Sequence, residues 1–504
     1  MTEIELKLAI PPSAVAAVAR AVGTAGARRQ RLQAIYFDTA DRRLAAAGIA
    51  LRLRKEGRRW VQTLKVGPAH GMARGEHNVE LRVPAGVPPA LDPALHAVAP
   101  IGRALAAALE PRDGEVAPAL LPLYRTDVTR LARPLRSRRG TVELALDRGE
   151  IVADGPDGRL RRWPACELEV ELLGGSPVAV AEVARRFARA HGLWLDTRTK
   201  AERGDRLARG IAAGDQVPAV KAEAVRLRKD MAPVQAWATV LRQGLAQALP
   251  NWSEVAGGSG RAEHLHQLRV ALRRLRSAER FFAGWPGVPE APWSEAVAAL
   301  FRALGATRDR DALAGGLQPA IDAALAAQGL PSMVWPMAHA PDWTGQALHD
   351  PGIVLVELLA YAAEMQQFVG AVNSDAALTD LAAERLDDWH ARVRRDAKRF
   401  DTLDDEARHR LRKRVKRLRY AAEFSAALFP RRAVERYMAP LRAAQERLGE
   451  FNDVCVAQAA CKSLTDGVPQ AWFALGWLAA RRDMTLAEGA AALQGLRKAE
   501  PFWR

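Results

Sequence analysis

The chain has 504 residues, 49% of them apolar, which is enough for at least two domains with packed cores. Its formal net charge of +16 points to a polyanionic partner: nucleic acid, an acidic membrane surface or polyphosphate. The three cysteines (Cys166, Cys455 and Cys461) match neither a zinc site nor a disulfide framework, and no apolar run reaches the roughly 18 residues of a membrane span. The start of the chain does not resemble a signal peptide, so we expect a cytoplasmic protein without a membrane span.

The first predicted element is a strand in which Glu3, Glu5 and Lys7 alternate with the aliphatic Ile4 and Leu6. Side chains alternate across a strand, so the three charges share one face. A solvated outer face would produce the same pattern, and this segment alone therefore does not define a site.

The alternation recurs in four later segments, which makes a solvated face a poor explanation. These segments place charges at Arg52 and Arg54, at Glu76 and Glu80, at Glu143 and Asp147, and at Glu167, Glu169 and Glu171. Strands with acids and bases on one face and aliphatic residues on the other predict a closed antiparallel β-barrel with a charged lumen.

Two helices interrupt this first half. One is predicted from Ser13 to Val22 after two prolines, and the other from Ser176 to His191, where Ser-Pro suits an N-cap and first turn. We expect both helices to cover the barrel. The first domain is predicted over residues 1–205, and residues 206–220 are predicted to form a linker.

Residues 221–504 lose the strand signals and contain long segments with helical periodicity and an internal duplication. The segment 266–276 aligns with 409–419 at an offset of 143 residues, and Leu304–Asp309 aligns with Leu448–Asp453 at an offset of 144. We predict two homologous helical repeats, about 221–360 and 361–504. The fold class is therefore a two-domain α+β protein, a closed barrel followed by an all-α duplicated bundle.

These motifs resemble two known families. The Glu3-x-Glu5-x-Lys7 motif and the charged strands that follow it resemble the CYTH superfamily of triphosphate tunnel metalloenzymes, and the duplicated His/Arg helices resemble the CHAD domain. The order of the two is similar to that of bacterial CYTH–CHAD inorganic triphosphatases, over nearly the whole chain. The resemblance implies metal-dependent hydrolysis of tripolyphosphate to pyrophosphate and phosphate.

The resemblance also assigns roles to individual residues. Catalytic roles fall on Glu3, Glu5, Lys7 and Lys65. Substrate phosphate binding falls on Arg52, Arg54, Lys65, Arg74, Arg125, Arg130 and Lys200. Metal binding falls on Glu3, Glu5, Glu76, Glu143, Asp147, Glu167, Glu169 and Glu171. Asn78 departs from the pattern, since many members carry a further acid there, and Glu80 could partly compensate.

The chemistry of a triphosphate makes the same demand. Arginine forks grip phosphate oxygens bidentately and lysine supplies a compact charge, so the basic lumen residues suit the substrate. Carboxylates repel phosphate, and a divalent ion with oxygen ligands, Mg²⁺ or Mn²⁺, resolves that conflict by bridging the two. Phosphoryl transfer then needs positioning and charge neutralisation but no covalent nucleophile.

The basic helices of the second half predict a polyanion site. Eight of the twelve residues from Arg408 to Arg419 are Lys or Arg, and such density repels itself unless an anion or partner carboxylates neutralise it. The candidate binding residues are His266, Arg269, Arg273, Arg274, Arg276, His409, Arg412, Lys416, Arg417 and Arg419. For the two histidines we prefer a hydrogen-bonding or phosphate-contacting role to metal binding, because no further His or Cys stands at ligand spacing.

The resemblance to CHAD domains implies long-chain inorganic polyphosphate as the partner and association with polyphosphate granules. No aromatic residues alternate with these arginines, which argues against single-stranded nucleic acid. Two alternatives stay open. The chain could be a non-catalytic polyphosphate-binding scaffold, or the tunnel could act on a nucleoside, thiamine or RNA 5′-triphosphate or cyclise ATP as an adenylate cyclase.

Overall fold

A computed structural model describes residues 2–67, 71–83, 88–111, 118–305, 316–333, 349–368 and 377–504, without the side chains of 349–351 and 366–368. Part of the predicted motif Leu304–Asp309, namely residues 306–309, lies outside this set. The chain divides into two compact units. The first contains Met1–Lys221, Leu245–Leu268 and Asp342–Gln367, and the second contains Ala222–Gly244, Arg269–Pro341 and Phe368–Arg504.

The first unit contains an antiparallel β-barrel. Its strands are β1 (Thr2–Ala9), β2 (Arg28–Asp38), β3 (Ile49–Glu56), β4 (Arg59–Val66), β5 (Ala73–Leu81), β6 (Leu121–Arg136), β7 (Gly140–Asp154) and β8 (Leu160–Gly175). They pair in the order β5-β4-β3-β2-β6-β7-β8-β1, and a further pairing between β5 and β1 closes the barrel. A short strand, β9 (Trp194–Leu195), pairs with β1 on the outside of this order.

β1 closes the barrel by changing partner along its length. Thr2 to Ile4 pair with Gly75 to Ala73 of β5, whereas Glu5 to Ala9 pair with Glu171 to Glu167 of β8. Both ends of a single strand are thereby hydrogen-bonded, which removes the open sheet edge. The charged motif of β1 lies where the first and last long strands meet.

Within the described part of residues 2–208, five α-helices accompany the barrel: α1 (Val15–Val22), α2 (Arg43–Ala46), α3 (Gly102–Leu109), α4 (Pro177–His191) and α5 (Lys200–Ala208). The structure has α1 and α4 where the sequence predicts helices. Ser176 caps α4, its Oγ accepting a hydrogen bond from the Val178 N–H at 3.2 Å, as the Ser-Pro pair indicates. One face of α4 is buried, including Val180, Val183 and Phe187.

The remaining described elements are helical. They are α6 (Pro233–Ala256), α7 (Ala262–Phe282), α8 (Ser294–Ala303), α9 (Leu317–Ala326), α10 (His349–Phe368), α11 (Leu378–Lys398), α12 (Asp405–Ser425), α13 (Arg431–Lys462) and α14 (Gln470–Lys498). No helix of the described residues is long and apolar enough to cross a bilayer. Between α5 and α6, residues 209–232 form no regular helix or strand, a stretch that overlaps the predicted linker.

The second unit has its own core. Aromatic side chains pack along α7 and α12, with Phe281 6.4 Å from Phe424 between ring centroids. At the α13–α14 hairpin, Val454, Ala457 and Cys461 pack against facing residues of α14 such as Leu478. The N-terminal part of the chain is thus a closed antiparallel barrel and the C-terminal part is helical, as predicted.

Candidate active site

The barrel lumen holds a cavity of about 250 Å³. Residues on the inward face of the strands line it, because each strand places alternate side chains inside. The charged lining residues are Glu3, Glu5, Lys7, Arg52, Arg54, Lys65, Arg74, Glu76, Arg130, Glu143, Asp147, Glu169, Glu171 and Lys200. All fourteen are among the residues that the sequence assigns to the site.

One group of lumen charges surrounds Lys65 on β4. Its Nζ lies 2.6 Å from a carboxylate oxygen of Glu3 and 3.5 Å from one of Glu76. Burial alone would lower the pKa of Lys65, but the carboxylates of Glu5 and Glu3 raise it above its ordinary value. Lys65 therefore stays charged and can neutralise a phosphate oxygen.

Glu5 has cations on two sides. The Lys7 ammonium forms an ion pair with it, and Arg74 Nη2 lies 3.8 Å from its Oε1. Burial would raise the pKa of Glu5, but Lys7 and Lys65 lower it to about 2. Glu5 is thus a permanent carboxylate in the lumen and available as an oxygen ligand.

A second group surrounds Lys200 at the start of α5. Lys200 Nζ lies 2.6 Å from Asp147 Oδ2 and 3.0 Å from Glu169 Oε1, and it also forms an ion pair with Glu167. Arg130 donates from Nε and Nη2 to the two Asp147 oxygens at 2.7 and 2.8 Å. Burial would lower the pKa of Lys200, but the three carboxylates raise it well above its ordinary value.

The acidic members of this second group suit a divalent ion. Asp147, Glu167 and Glu169 each present an oxygen within 4.8 Å of the others, and all three are buried. Three carboxylate oxygens are a donor set that Mg²⁺ and Mn²⁺ accept. Lys200 and Arg130 already neutralise part of their charge, so an ion here would compete with these bases.

In a second set of acidic residues, basic side chains neutralise less of the carboxylate charge. Glu171 on β8 lies in register with Glu5 on β1 and with Glu143 on β7, so three carboxylates stand side by side on neighbouring strands. Burial, Glu3 and Glu5 raise the pKa of Glu171 to about 7. Like charges placed opposite one another destabilise a sheet unless a cation intervenes. This row therefore gains most from a divalent ion, and its oxygen donors fit one.

The guanidinium groups offer hydrogen-bond donors to an anion. Arg52 donates from Nη1 to the Tyr36 hydroxyl at 3.0 Å, and Arg54 pairs with Glu56. The Nε groups of Arg52, Arg54 and Arg74 are buried and have no hydrogen-bond partner in the described structure. Buried donors without partners are costly, and phosphate oxygens would satisfy them.

Arg125 is a correction to the predicted site. It lies on β6 with Thr126, Val128 and Arg130, but those three line the cavity while Arg125 is exposed on the outer face. Arg125 and Arg130 are five residues apart, an odd spacing that puts their side chains on opposite faces of a strand. The assignment of Arg125 to substrate binding is therefore wrong.

Glu167 faces inward with Glu169 but lies beside Arg203, outside the cavity lining. Arg203, which is buried and forms an ion pair with Glu167, was not predicted from the sequence. Tyr36, whose ring stacks on that of Tyr124 at 4.8 Å, was not predicted either. Arg203 follows Lys200 by one helical turn, and this spacing is the sequence signal that could have identified Arg203.

The basic stripes of α7 and α12 come together in the second unit. Burial, Arg280 and Arg276 lower the pKa of Arg417, and burial, Arg417 and Arg412 lower that of Lys413. Such shifts mark cations that repel one another at close range. Of the ten predicted polyanion-binding residues, nine belong to this unit and His266 belongs to the first.

Several of these cations also have protein partners. Glu423 accepts from Arg274 Nη1 at 3.0 Å and pairs with Arg419, while Arg273 donates to the Tyr420 hydroxyl at 3.0 Å. Further contacts join Arg269 to the Phe301 carbonyl, Arg412 to Asp453 and His409 to Asn452. Tyr420 lies beneath three arginines, but it is only 2% exposed and cannot stack on a nucleic-acid base.

Comparison with known proteins gives two family matches. Residues 1–204 match the family model described as the CYTH domain, and residues 239–462 match that of the CHAD domain. Among solved structures, the CHAD domain from the plant Ricinus communis is 28% identical, with a TM-score of 0.44, 56% of this chain and 99% of that chain covered.

Two further solved structures match a smaller share of this chain. HpAC1 from Hippeastrum, described as a candidate adenylyl cyclase with a dominant triphosphatase activity, is 20% identical, with a TM-score of 0.29, covering 43% of this chain and 98% of that one. The PH1012 protein from Pyrococcus horikoshii is 16% identical, with a TM-score of 0.24, covering 40% of this chain and 98% of that one.

Proposed function

Because this chain contains a CYTH domain in residues 1–204 and a CHAD domain in residues 239–462, we propose that it is a metal-dependent inorganic triphosphatase with a polyphosphate-binding helical part. The proposed reaction is hydrolysis of tripolyphosphate to pyrophosphate and phosphate. We place the protein in the cytoplasm, in contact with polyphosphate granules.

The observation that supports this proposal is the mixed charge of the lumen. Buried bases and buried carboxylates line one cavity, and several guanidinium donors in it lack a partner within the described residues. A polyanion bridged to carboxylates by a divalent ion satisfies both sets. A purely anionic or purely cationic small ligand would leave one set uncompensated.

In the proposed complex the lumen bases hold the phosphate chain. Arg52 and Arg54 on β3 and Arg74 on β5 present forks to phosphate oxygens, and Lys65 supplies a compact charge. Lys65 is held by Glu3, so substrate binding exchanges one anionic partner for another. Tyr36 holds Arg52 in place from the neighbouring strand.

The reaction is attack by water on a terminal phosphorus, with breakage of the bridging P–O bond and departure of pyrophosphate with the bonding electrons. The protons of the attacking water pass to the phosphate and pyrophosphate products and to solvent. A bound Mg²⁺ or Mn²⁺, held by the row of Glu5, Glu143 and Glu171 or by the set Asp147, Glu167 and Glu169, would neutralise phosphate charge and polarise the P–O bonds. The lumen bases stabilise the negative charge that develops on the leaving pyrophosphate.

We also propose that the basic cluster of α7 and α12 binds long-chain polyphosphate. The mutual repulsion among Arg276, Lys413 and Arg417 favours an anionic ligand there. Tyr420, the ring that lies beneath Arg273, Arg274 and Arg419, is deeply buried and cannot stack on a base, which supports polyphosphate over single-stranded nucleic acid.

The test is a substrate panel with the purified full-length chain. Release of phosphate and pyrophosphate is measured for tripolyphosphate, ATP, thiamine triphosphate and an RNA 5′-triphosphate, each with Mg²⁺, with Mn²⁺ and with EDTA. We expect the highest kcat/KM for tripolyphosphate. In EDTA we expect no hydrolysis of any substrate. Formation of cyclic AMP from ATP is followed in parallel.

Each alternative has its own outcome in this panel. Faster turnover of a nucleotide or thiamine substrate, or formation of cyclic AMP, would show that this compound and not tripolyphosphate is the substrate. No turnover of any substrate, together with tight binding of tripolyphosphate and polyphosphate, would identify a non-catalytic scaffold.

A further inference from the structure

Lys200 and Arg203 reach the lumen carboxylates from α5, so the segment before this helix decides where the two cations lie. This segment, residues 195–199, contacts the barrel through β9 and through the Asp196 N–H, which donates to the Lys7 carbonyl at 3.1 Å. Thr199 caps α5 by accepting from the Glu202 N–H at 3.0 Å.

The C-terminal end of α6 supports the same segment with three consecutive side chains. Trp252 Nε1 donates to the Leu195 carbonyl at 3.0 Å, and Ser253 Oγ accepts from the Thr197 N–H at 3.0 Å. Glu254 accepts from Arg206 Nη1 at 2.7 Å and pairs with Arg198 at 3.4 Å. All these residues belong to the first compact unit, although Trp252 to Glu254 follow α5 by more than forty residues.

Glu254 has a particular place among these contacts. Its side chain is 3% exposed, and it lies between two arginines, Arg198 just before α5 and Arg206 in the last turn of α5. Ser259 Oγ donates a further hydrogen bond to it at 2.5 Å. A buried carboxylate held by two guanidinium groups and a hydroxyl is costly to remove, because the guanidinium groups then lose their counter-charge.

The chain also leaves room for this arrangement. Gly257, just after α6, lies against Arg198, and a Cβ atom there would stand 2.3 Å from Arg198 Nη2. Asp196 completes the network by accepting from Arg198 Nε and Nη2 at 3.0 and 2.8 Å. The network therefore fixes the backbone on both sides of Lys200.

We propose that Glu254 is a positioning residue for the tunnel. It holds α5 through Arg198 and Arg206, so that Lys200 points at Asp147 and Glu169. The role in substrate binding rests on the proposed function, whereas the positioning of α5 does not. Glu254 belongs to the segment that the CHAD model matches, so that segment would support the helix that carries Lys200.

The test compares full-length Glu254→Gln with Glu263→Gln, a matched change at an exposed carboxylate of α7. Amide hydrogen exchange is measured by mass spectrometry over residues 195–208 and over β7 and β8. We expect Glu254→Gln to raise exchange in 195–208 at least tenfold while the strands and the control stay at the wild-type rate. Equal protection in both variants would overturn the proposal.

Binding of tripolyphosphate, followed by calorimetry, tests the role through Lys200. Misplacement of a functional group by about 1 Å can lower a catalysed rate by up to about 100-fold. By the same reasoning we expect the affinity of Glu254→Gln for tripolyphosphate to fall at least about tenfold. In a Lys200→Met background the same change should have less than a twofold effect, because the group that it positions is gone. An undiminished effect in that background would contradict the route through Lys200.

Two results separate this inference from the proposed function. If the wild-type protein fails to bind tripolyphosphate, the proposed substrate is wrong and hydrogen exchange alone decides the positioning role. If Glu254→Gln does not fold, Arg206→Gln, which removes one of the two guanidinium groups that contact Glu254, repeats the exchange measurement. Unchanged exchange over 195–208 in Arg206→Gln would then overturn the proposal.

Discussion

The ammonium of Lys65 on β4 lies 2.6 Å from a carboxylate oxygen of Glu3 on β1. These two strands stand six places apart in the sheet order, and the pairing of β5 with β1 that closes the barrel brings them together. The contact pairs a base proposed to bind phosphate with an acid proposed to bind metal. Charge in the lumen is therefore arranged as exchangeable pairs, and changing one member at a time gives distinct outcomes.

Removing a lumen carboxylate should abolish turnover without unfolding the chain. Glu5→Gln and Glu169→Gln each keep the side-chain volume but remove a proposed oxygen ligand, so we expect tripolyphosphate hydrolysis to fall at least 100-fold, on the order of 3 kcal/mol of transition-state stabilisation. The control is Glu150→Gln, a partly exposed carboxylate that pairs with Arg162. Full activity of either lumen variant would refute the metal assignment.

Arginines on the two faces of the barrel should behave differently. Arg52→Ala removes a buried lumen guanidinium and should lower kcat/KM for tripolyphosphate by at least tenfold, as should Lys65→Ala. Arg125→Ala is a matched control with the same loss of charge on the outer face, and it should keep kcat/KM within twofold. If Arg125→Ala lowers kcat/KM as much as Arg52→Ala does, substrate binding by the lumen face of the barrel is contradicted.

The raised pKa of Glu171 predicts a pH-dependent stability. Its folded pKa of about 7 exceeds the ordinary carboxyl value, so its ionisation weakens the fold as pH rises from about 4.5 through 7. In EDTA at pH 8, Glu171→Gln should raise the free energy of unfolding, measured by urea titration, by about 1 kcal/mol after solvent screening. At pH 4.5 the gain should vanish. A gain of equal size at both pH values would contradict a titrating Glu171.

The same variant gives a metal-dependent control. Mg²⁺ or Mn²⁺ bound near Glu171 stabilises the wild-type chain by mass action and compensates the repulsion, so the advantage of Glu171→Gln should shrink or reverse when the ion is added at pH 8. An advantage that is unaffected by either ion would place the metal elsewhere in the lumen.

Gly204 in α5 should not tolerate a side chain. A Cβ atom there would stand 2.1 Å from the ring of Tyr124, so Gly204→Ala must displace α5 or the ring and should lower the thermal midpoint by several degrees. Gly476→Ala in α14 is the control, because no atom lies within 4 Å of its added Cβ. The control should be neutral or stabilising by up to about 1 kcal/mol. A stable Gly204→Ala chain would show that α5 packs differently.

Polyphosphate binding should depend on the α7 and α12 cluster and not on net charge alone. Neutralising Arg276, Lys416 and Arg417 to Gln should weaken binding of long-chain polyphosphate by at least tenfold and reduce its salt dependence, by analogy with counterion release from DNA. Tripolyphosphate hydrolysis should stay within twofold of wild type. The control neutralises three exposed arginines of α13, Arg431, Arg432 and Arg436.

Fluorescence titrations with polyphosphate and with duplex DNA at matched salt distinguish the outcomes. Equal losses in the cluster variant and in the control would mean that net charge alone drives binding. Tighter binding of DNA than of polyphosphate by the wild-type chain would favour a nucleic-acid partner.

Features that depend on local periodicity can be predicted from the sequence. Alternation along β1, β7 and β8 predicts which side chains face the lumen, since the period of two is a property of any extended strand. The helical duplication likewise predicts the basic stripes. Glu3, Glu5 and Glu169 therefore lie in the lumen as expected, whereas Arg125, assigned by family resemblance against its own periodicity, does not.

Which charged side chains form ion pairs with one another depends on the tertiary structure. The Lys65–Glu3 pair depends on barrel closure, and the row formed by Glu5, Glu171 and Glu143 depends on the register of three strands. The support of α5 by Glu254 joins segments far apart in the chain. Ion-pair partners and pKa shifts arise from distances and burial between such segments, and local sequence patterns do not encode them.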